Sequence, residues 1–165
     1  MIFETERLIV RKLVFDDLLA FHEMQSNPKV MQFADGDIKS FDEHEIEIKE
    51  LINKYNLPNN DFWIYAVERK TDHQFVGTVA LVKDKREDEI GYRFLEKYWA
   101  NGYASEICKG LILYCKKLKM NKLIAYAIDK NIASVKILER LNFKIVHRFI
   151  SDDIKLPETK YELIL

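Results

Sequence analysis

The amino-acid sequence predicts a mixed α/β fold in which helices flank one mostly antiparallel sheet. Three observations lead to this fold class. Apolar residues follow helical spacing over residues 18–24 and 41–55, and then change to the spacing of strands. Short polar segments, residues 69–73 and 83–88, join three consecutive strands as hairpin connections. A chain of 165 residues with only five Gly and three Pro fits one well-structured domain, residues 1–165.

The N-terminal third predicts one strand followed by two helices. Residues 7–13 alternate apolar and charged side chains imperfectly, which is typical of a strand with one buried face. An acidic residue can cap the first helix, and Pro28 follows its end. Ser40 or Asp42 can cap the second helix, which carries an apolar stripe along one face.

The remaining two thirds predict three strands and then an alternation of helices with strands. The resulting order is strand, two helices, three strands, helix, strand, helix and two strands. The predicted strands are residues 62–68, 75–82, 89–94, 123–128, 143–146 and 161–165, and the predicted helices are residues 102–118 and 134–141.

The charge distribution argues against nucleic acid and membranes as partners. The formal net charge is -1, and acidic and basic residues are mixed along the chain, so no basic surface is predicted. No apolar run approaches the roughly 18 residues that a membrane span requires, and the N-terminal segment carries charges where a signal peptide would be apolar. We therefore expect a cytoplasmic protein. A homodimer and a monomer are equally compatible with the sequence.

Residues 97–105 join a predicted strand to a long amphipathic helix and offer a place for phosphate. Small residues there let ligand oxygens approach the free N–H groups at the start of the helix. The segment lacks the Lys-Ser/Thr pair of a nucleoside triphosphate loop and the three glycines of a dinucleotide fingerprint, which disfavours ATP and NAD. No metal-ligand spacing occurs, so no metal is predicted. Taken alone, the segment also fits an ordinary turn.

A second segment about thirty residues later makes the signal specific. Residues 131–143, NIASVKILERLNF, follow a predicted strand. Together with residues 89–114, EIGYRFLEKYWANGYASEICKGLILY, they resemble the GNAT acetyltransferase superfamily. The N-terminal TERLIVRKLVFDDLLAFHEM is similar to the branch that contains the ribosomal-protein N-terminal acetyltransferases. The resemblance implies a twisted sheet that splays between its fourth and fifth strands, residues 89–94 and 123–128.

The resemblance also implies acetyl-CoA as the cosubstrate, with no metal. The family's pyrophosphate loop, Gln/Arg-x-x-Gly-x-Gly/Ala, matches residues 99–104, although Trp99 replaces the polar first residue and removes one side-chain donor. Asn131 matches a residue that contacts the cofactor near its pantetheine arm, and Ser134 matches a small residue that faces the same cleft. The predicted cofactor-binding residues are Tyr92, Arg93, Phe94, Trp99, Ala100, Asn101, Gly102, Tyr103, Ala104, Ser105, Asn131 and Ser134.

Acetyl transfer needs a polarised thioester carbonyl and a deprotonated amine. The family polarises the carbonyl with a backbone N–H that a local irregularity frees on the strand at residues 89–94, and Gly91 suits that role. Glu89 is the predicted general base, with an ordinary exposed strand-end carboxylate as the alternative. Leu138 stands where many members carry the Tyr that protonates the leaving thiolate. The acid is therefore Ser134, Tyr126, a water or none.

The acceptor is predicted to be a primary amine, either on a small molecule or at a protein N-terminus. Phe33, Trp63 and Tyr65 are predicted to wall its pocket, although aromatic residues in strands are also common in cores. Acidic residues could attract a cationic amine, or form a solvated loop. An alternative function is a catalytically silent module that binds coenzyme A. The acidic residues are Asp35, Asp37, Asp42 and Glu43, and the weaker candidates for catalysis are His22 and His44.

Overall fold

The computed structural model describes residues 1–34 and 37–165, which form an eight-stranded sheet flanked by helices. The mixed α/β fold predicted from the sequence is confirmed. The strands are β1 (Phe3–Glu4), β2 (Leu8–Lys12), β3 (Phe62–Arg69), β4 (Phe75–Asp84), β5 (Glu87–Phe94), β6 (Lys122–Ile128), β7 (Lys144–Ile150) and β8 (Pro157–Ile164). The helices are α1 (Leu18–Gln25), α2 (Pro28–Met31), α3 (Phe41–Lys54), α4 (Tyr103–Lys117) and α5 (Ile132–Arg140).

The sheet opens between β5 and β6. Its strand order is β1-β2-β3-β4-β5-β6-β8-β7, and neighbouring strands are antiparallel except for β5 and β6. Strand β5 pairs with β4 along its whole length, whereas it meets β6 at the single pair Glu89 and Ile124. Beyond this pair the two parallel strands part, so the predicted splay between the fourth and fifth strands is confirmed.

Helices cover both faces of the central strands. On one face, here called the α4 face, Val67 and Ile90 pack with Ile107 and Leu111 of α4 and with Leu138 of α5. The opposite face, the α1–α3 face, packs Ala66 against side chains of α1 and α3. Because side chains alternate along each strand, every strand that borders the opening contributes residues to both faces.

A capping box fixes the start of α3. The Ser40 side chain accepts a hydrogen bond from the Glu43 N–H at 3.3 Å, and the Glu43 carboxylate accepts one from the Ser40 N–H at 2.7 Å. The pKa of Glu43 is lowered mainly by the hydrogen bonds that its carboxylate accepts from the Ser40 N–H and from the Ser40 hydroxyl. Glu43 therefore serves the helix, and Ser40 rather than Asp42 is the cap. Asp35 lies outside the described residues.

The structure differs from the predicted elements mainly in two short additions, α2 and β1, and in the starting residue of β8. Pro28 opens the one-turn helix α2, where the missing N–H of proline costs nothing, and the Asn27 side chain caps it by accepting from the Lys29 N–H at 2.9 Å. The two-residue strand β1 has too few residues to show a period. Strand β8 begins at Pro157, four residues before the predicted start, since proline is tolerated at the first position of a strand.

Candidate active site

The turn before α4 holds two residues in the left-handed backbone region. Ala100 has φ 61° and Gly102 has φ 77°. Gly102 is the N-cap of α4 and has no side chain to occupy the first N–H groups of the helix. Left-handed residues in such turns direct successive N–H groups into a concave anion site, and the helix dipole favours negative charge there. The turn can therefore accept an anionic group such as phosphate.

Two predicted cofactor residues of this turn use their side chains to hold its shape. The Trp99 indole N–H donates to the Phe94 carbonyl at 2.9 Å. The Asn101 amide donates to the carbonyls of Tyr98 and Trp99, each at 3.0 Å. Their contribution to an anion would therefore come from the backbone. Tyr103, Ala104 and Ser105 form the first turn of α4.

Ala100 carries backbone strain that glycine would remove. A non-glycine residue in the left-handed region costs roughly 1–2 kcal/mol. Glycine loses more chain entropy on folding, an offset of about 0.4–1 kcal/mol. We expect Ala100→Gly to raise the free energy of unfolding in urea by about 0.5–1 kcal/mol. The matched change Ala133→Gly, at an exposed position within α5, should lower it by a similar amount. If both variants raised the free energy of unfolding, or both lowered it, the result would contradict this account.

The opening between β5 and β6 continues from this turn as one cleft of about 1740 Å³. One side of it is lined by Gly91, Tyr92, Arg93 and Phe94 of β5. Residues of β6 and the N-terminal turn of α5 line the other side. A strand edge without a neighbour can pair with an extended ligand, as in strand addition. The cleft therefore joins an anion site to an open strand edge.

The first turn of α5 brings two predicted residues to the cleft. The Asn131 side chain caps α5 by accepting from the Ser134 N–H at 3.3 Å. Ser134 is partly buried, and its Oγ accepts a hydrogen bond from the Tyr92 hydroxyl at 3.0 Å. One turn further on, Leu138 is 3% exposed and packs in the core, so this position offers no proton.

The irregularity expected at Gly91 is absent from β5, which corrects the prediction. The β4–β5 register runs without a shift from the Gly77–Phe94 pair to the Asp84–Glu87 pair. Backbone groups of β5 are freed instead by the departure of β6. A Cβ at Gly91 would meet only the Ala80 Cβ, at 3.7 Å, which is an ordinary contact. Gly91 and its partner Ala80 thus form a floor of small residues on the α1–α3 face.

The structure places Trp63 and Tyr65, which were predicted to wall the acceptor pocket, away from the cleft. Both residues point to the α4 face, where they stack on Tyr55 with ring centroids 6.2 and 6.0 Å apart. Burial raises the pKa of the Tyr65 hydroxyl, whose side chain is 5% exposed. Strand alternation puts their neighbours Phe62 and Ile64 in the cleft instead. Phe33 does line the cleft and is partly buried.

Carboxylates gather on the α1–α3 face where β5 and β6 still pair. Glu89 lies there beside Ile124. The neighbouring Glu87 accepts from Lys122 at 2.6 Å and from Lys160, and these two hydrogen bonds lower its pKa to about 2. Glu87 is thus held ionised by its lysine partners.

Tyr126 lies among these carboxylates and is a poor proton donor. Its hydroxyl donates to Asp84 at 2.6 Å. Burial raises the pKa of Tyr126, and the charges of Asp84, Glu89 and Glu87 raise it further. A tyrosine that already donates to a carboxylate and whose pKa is raised holds its proton firmly. The structure therefore argues against Tyr126 as the acid that the sequence left open.

Comparison with known proteins identifies the family. A model of the acetyltransferase (GNAT) domain matches residues 7–144. The chain belongs to the GNAT acetyltransferase family. Membership makes it an acyltransferase that uses acetyl-CoA, as the resemblance implied.

Relatives of this GNAT chain agree in sequence and in fold. The uncharacterised N-acetyltransferase YoaA of Bacillus subtilis (strain 168) is 28% identical over 148 residues, covering 87% of this chain and 82% of YoaA. An acetyltransferase (GNAT family) from Bacillus anthracis aligns with a TM-score of 0.85 at 23% identity, covering 98% and 97% of the two chains. RimL, a ribosomal L7/L12 alpha-N-protein acetyltransferase in complex with coenzyme A, aligns with a TM-score of 0.81 at 16% identity, covering 98% and 96%.

A polar network beside the GNAT cleft was not predicted from the sequence, which named His22 and His44 only as weaker candidates for catalysis. The Arg93 guanidinium donates to the Gln25 side chain, which in turn donates to Glu47 at 3.2 Å. His44 is 1% exposed, its Nδ1 lies 2.8 Å from Nδ1 of His22, and burial lowers its pKa. These residues tie β5 to α1 and α3, and the polar positions within two amphipathic helices were the one signal for them.

Two further findings bear on partners of this GNAT chain. None of the helices in the described part of the chain has the length and apolar character needed to span a membrane. Within residues 1–34 and 37–165, no three His, Cys, Asp or Glu side chains lie close enough together to hold a metal ion.

Proposed function

We propose that this protein transfers the acetyl group of acetyl-CoA to a primary amine by direct attack of the amine in a ternary complex. The single observation that carries the proposal is the parting of β5 from β6 directly beside the left-handed turn that opens α4. An extended chain that ends in a pyrophosphate fits this combination, because the open strand edge and the N–H groups of the turn are adjacent.

The cofactor end of the site depends mainly on backbone groups. The N–H groups between Gly102 and Ser105 bind the pyrophosphate, since the Trp99 indole is already hydrogen-bonded within the protein. The open edge at Tyr92, Arg93 and Phe94 orients the pantetheine arm. Acetyl-CoA supplies an activated acyl group, and a β5 backbone N–H at Gly91 or beside it polarises the carbonyl.

Glu89 is the proposed general base. Its carboxylate lies on the α1–α3 face at the last β5–β6 pair, two positions from Gly91 on the same face. An amine entering over the small floor of Ala80 and Gly91 would pass this carboxylate on its way to the thioester. Glu89 takes the ammonium proton directly or through a water, which leaves the neutral amine free to attack.

The acceptor is proposed to be a small-molecule amine or a protein N-terminus. The cleft opens on the α1–α3 face, where Phe33 forms part of its wall and where Glu89 offers a carboxylate to a cationic group. RimL, which shares the fold, acts on the alpha-N of a ribosomal protein. The alternative function, a silent module that binds coenzyme A, is favoured by Leu138 in the position of the family's tyrosine.

Calorimetric titration with acetyl-CoA tests the proposal, followed by release of free thiol with a panel of primary amines and N-terminal peptides. The proposal predicts binding together with turnover of at least one class of amine. Absence of binding at high micromolar acetyl-CoA would contradict it. Binding without turnover across the whole panel would favour the silent module instead.

Enlarging Gly91 should block the acceptor without displacing the cofactor. The Gly91→Val side chain would enter the cleft over Ala80, on the face opposite the α4 core. We expect the KM for the amine to rise about 10-fold or more, because small misplacements of reacting groups are costly. The Kd for acetyl-CoA should change by less than about twofold. Gly91→Ala is the matched control, since its Cβ makes only an ordinary contact. A Gly91→Val change that weakens acetyl-CoA binding alone would contradict this placement.

A further inference from the structure

A hydrogen bond between Tyr92 and Ser134 crosses the opening of the sheet. Tyr92 belongs to the parted segment of β5, and its side chain lies on the α4 face beside Phe94, with ring centroids 6.4 Å apart. Its hydroxyl reaches Ser134 in the first turn of α5 at 3.0 Å. The bond therefore joins the two walls of the cleft at the level of the open strand edge.

The bond runs from the Tyr92 hydroxyl to Ser134 Oγ. A phenol is a stronger acid than an aliphatic hydroxyl and is therefore the better donor of the two, and burial raises the pKa of Tyr92, so the phenol keeps its proton. The Ser134 backbone N–H is already engaged by the Asn131 side chain. When Ser134 Oγ accepts from Tyr92, its own hydrogen remains available for a second acceptor.

We propose that Tyr92 is a positioning residue that turns the Ser134 hydroxyl toward the sulfur that leaves during acetyl transfer. This inference rests on the proposed function. Ser134 precedes Leu138 by four residues, so the two side chains lie on the same face of α5, one turn apart. The donor that is missing at Leu138 is thus supplied one turn earlier, and Tyr92 is the group that fixes its orientation.

The step balances without a proton leaving Ser134. The amine nitrogen forms a bond to the carbonyl carbon, the carbon–sulfur bond breaks, and its electron pair stays on sulfur. The ammonium group loses one proton to Glu89 before the attack, and the nitrogen loses a second proton to water as the amide forms. Ser134 keeps its own proton, because an aliphatic hydroxyl is a much weaker acid than a thiol, and stabilises the thiolate by a hydrogen bond. Donation from Tyr92 polarises the Ser134 hydroxyl and strengthens that bond.

Steady-state kinetics of Tyr92→Phe, Ser134→Ala and the double variant test the inference. We expect Tyr92→Phe to lower kcat about 10-fold and Ser134→Ala to lower it about 10- to 100-fold, the range for one lost hydrogen bond to a charged group. The Kd for acetyl-CoA and the KM for the amine should stay within about twofold of the parent, because the loss is confined to the transition state. The double variant should be no slower than Ser134→Ala, because Tyr92 acts through Ser134. Tyr114→Phe removes the hydroxyl of a partly buried tyrosine on α4 and should keep the parent kcat.

Three results would overturn the inference. The first is a Tyr92→Phe variant with the same kcat as the parent. The second is a double variant whose fold-loss in kcat equals the product of the fold-losses of the two single variants. The third is a Tyr92→Phe effect confined to acetyl-CoA binding or to the melting temperature, which would mark a structural role. All three leave the proposed function standing. A parent protein that neither binds acetyl-CoA nor releases thiol with any amine would overturn both.

Discussion

Glu89→Gln is expected to slow acetyl transfer about 100-fold at neutral pH, the lower end of the range for loss of a general base. The amide has the shape of the carboxylate but cannot take a proton from the ammonium group. Acetyl-CoA binding should stay at the parent level, because Glu89 lies on the α1–α3 face and the proposed pantetheine edge begins beyond it. Thiol release gives the rate, and calorimetry gives the Kd.

The pH dependence of this variant provides a second readout. The difference in transfer rate between the parent and Glu89→Gln should become smaller as the pH rises toward the pKa of the amine. At higher pH more of the amine is already neutral and needs no general base. Glu162→Gln is the matched control. Glu162 lies on β8, paired with Ile124, so this change also removes one carboxylate from the α1–α3 face. Equal kinetics for Glu89→Gln and the parent at the pH optimum would rule out Glu89 as the base.

Gly102→Val is the other change with a large expected effect. Gly102 has φ 77°, a conformation that a β-branched residue does not adopt without strain. Space is the smaller problem, because an added Cβ would lie 3.5 Å from the nearest atom, Nη2 of Arg7. Once the turn changes conformation, its N–H groups no longer converge on one anion. We expect the Kd for acetyl-CoA to rise about 100-fold, equivalent to about 3 kcal/mol of lost binding.

Gly102→Asn separates conformation from side-chain bulk. Asparagine tolerates the left-handed region far better than valine, so this variant should retain most of the affinity for acetyl-CoA. Thermal melts of both variants establish that the comparison is made on folded protein. If Gly102→Val bound acetyl-CoA with the same Kd as the parent, the pyrophosphate would not bind at this turn.

The element order could be predicted because the periods in the sequence are clear. Helical spacing of apolar residues predicted most of the helices, and the change to strand spacing with short polar connections predicted most of the strands. The faces of β3 could not be predicted in the same way. Its sequence, FWIYAVER, has apolar residues on both faces because helices cover both faces of the sheet, so the alternation that would separate Trp63 from Ile64 is absent.

The local features of the cleft were more predictable than its long-range contacts for a physical reason. The turn at Gly102 is a local feature that its own residue types specify. The contacts Arg93–Gln25 and Gln25–Glu47 join residues 68 and 22 positions apart, and no local pattern announces them. The irregularity expected at Gly91 came from the family resemblance, and the regular β4–β5 register shows that the departure of β6 frees the strand instead.

Hydrogen–deuterium exchange with and without acetyl-CoA tests the central claim most directly, because it locates the cofactor on the chain. The proposed function predicts slower exchange at three places when acetyl-CoA is added: the open edge of β5 after Glu89, the turn and first helical residues 100–105, and the start of α5 near Ser134. Protection confined to other parts of the chain, or no change at saturating acetyl-CoA, would contradict the claim that the cofactor lies in the opening between β5 and β6.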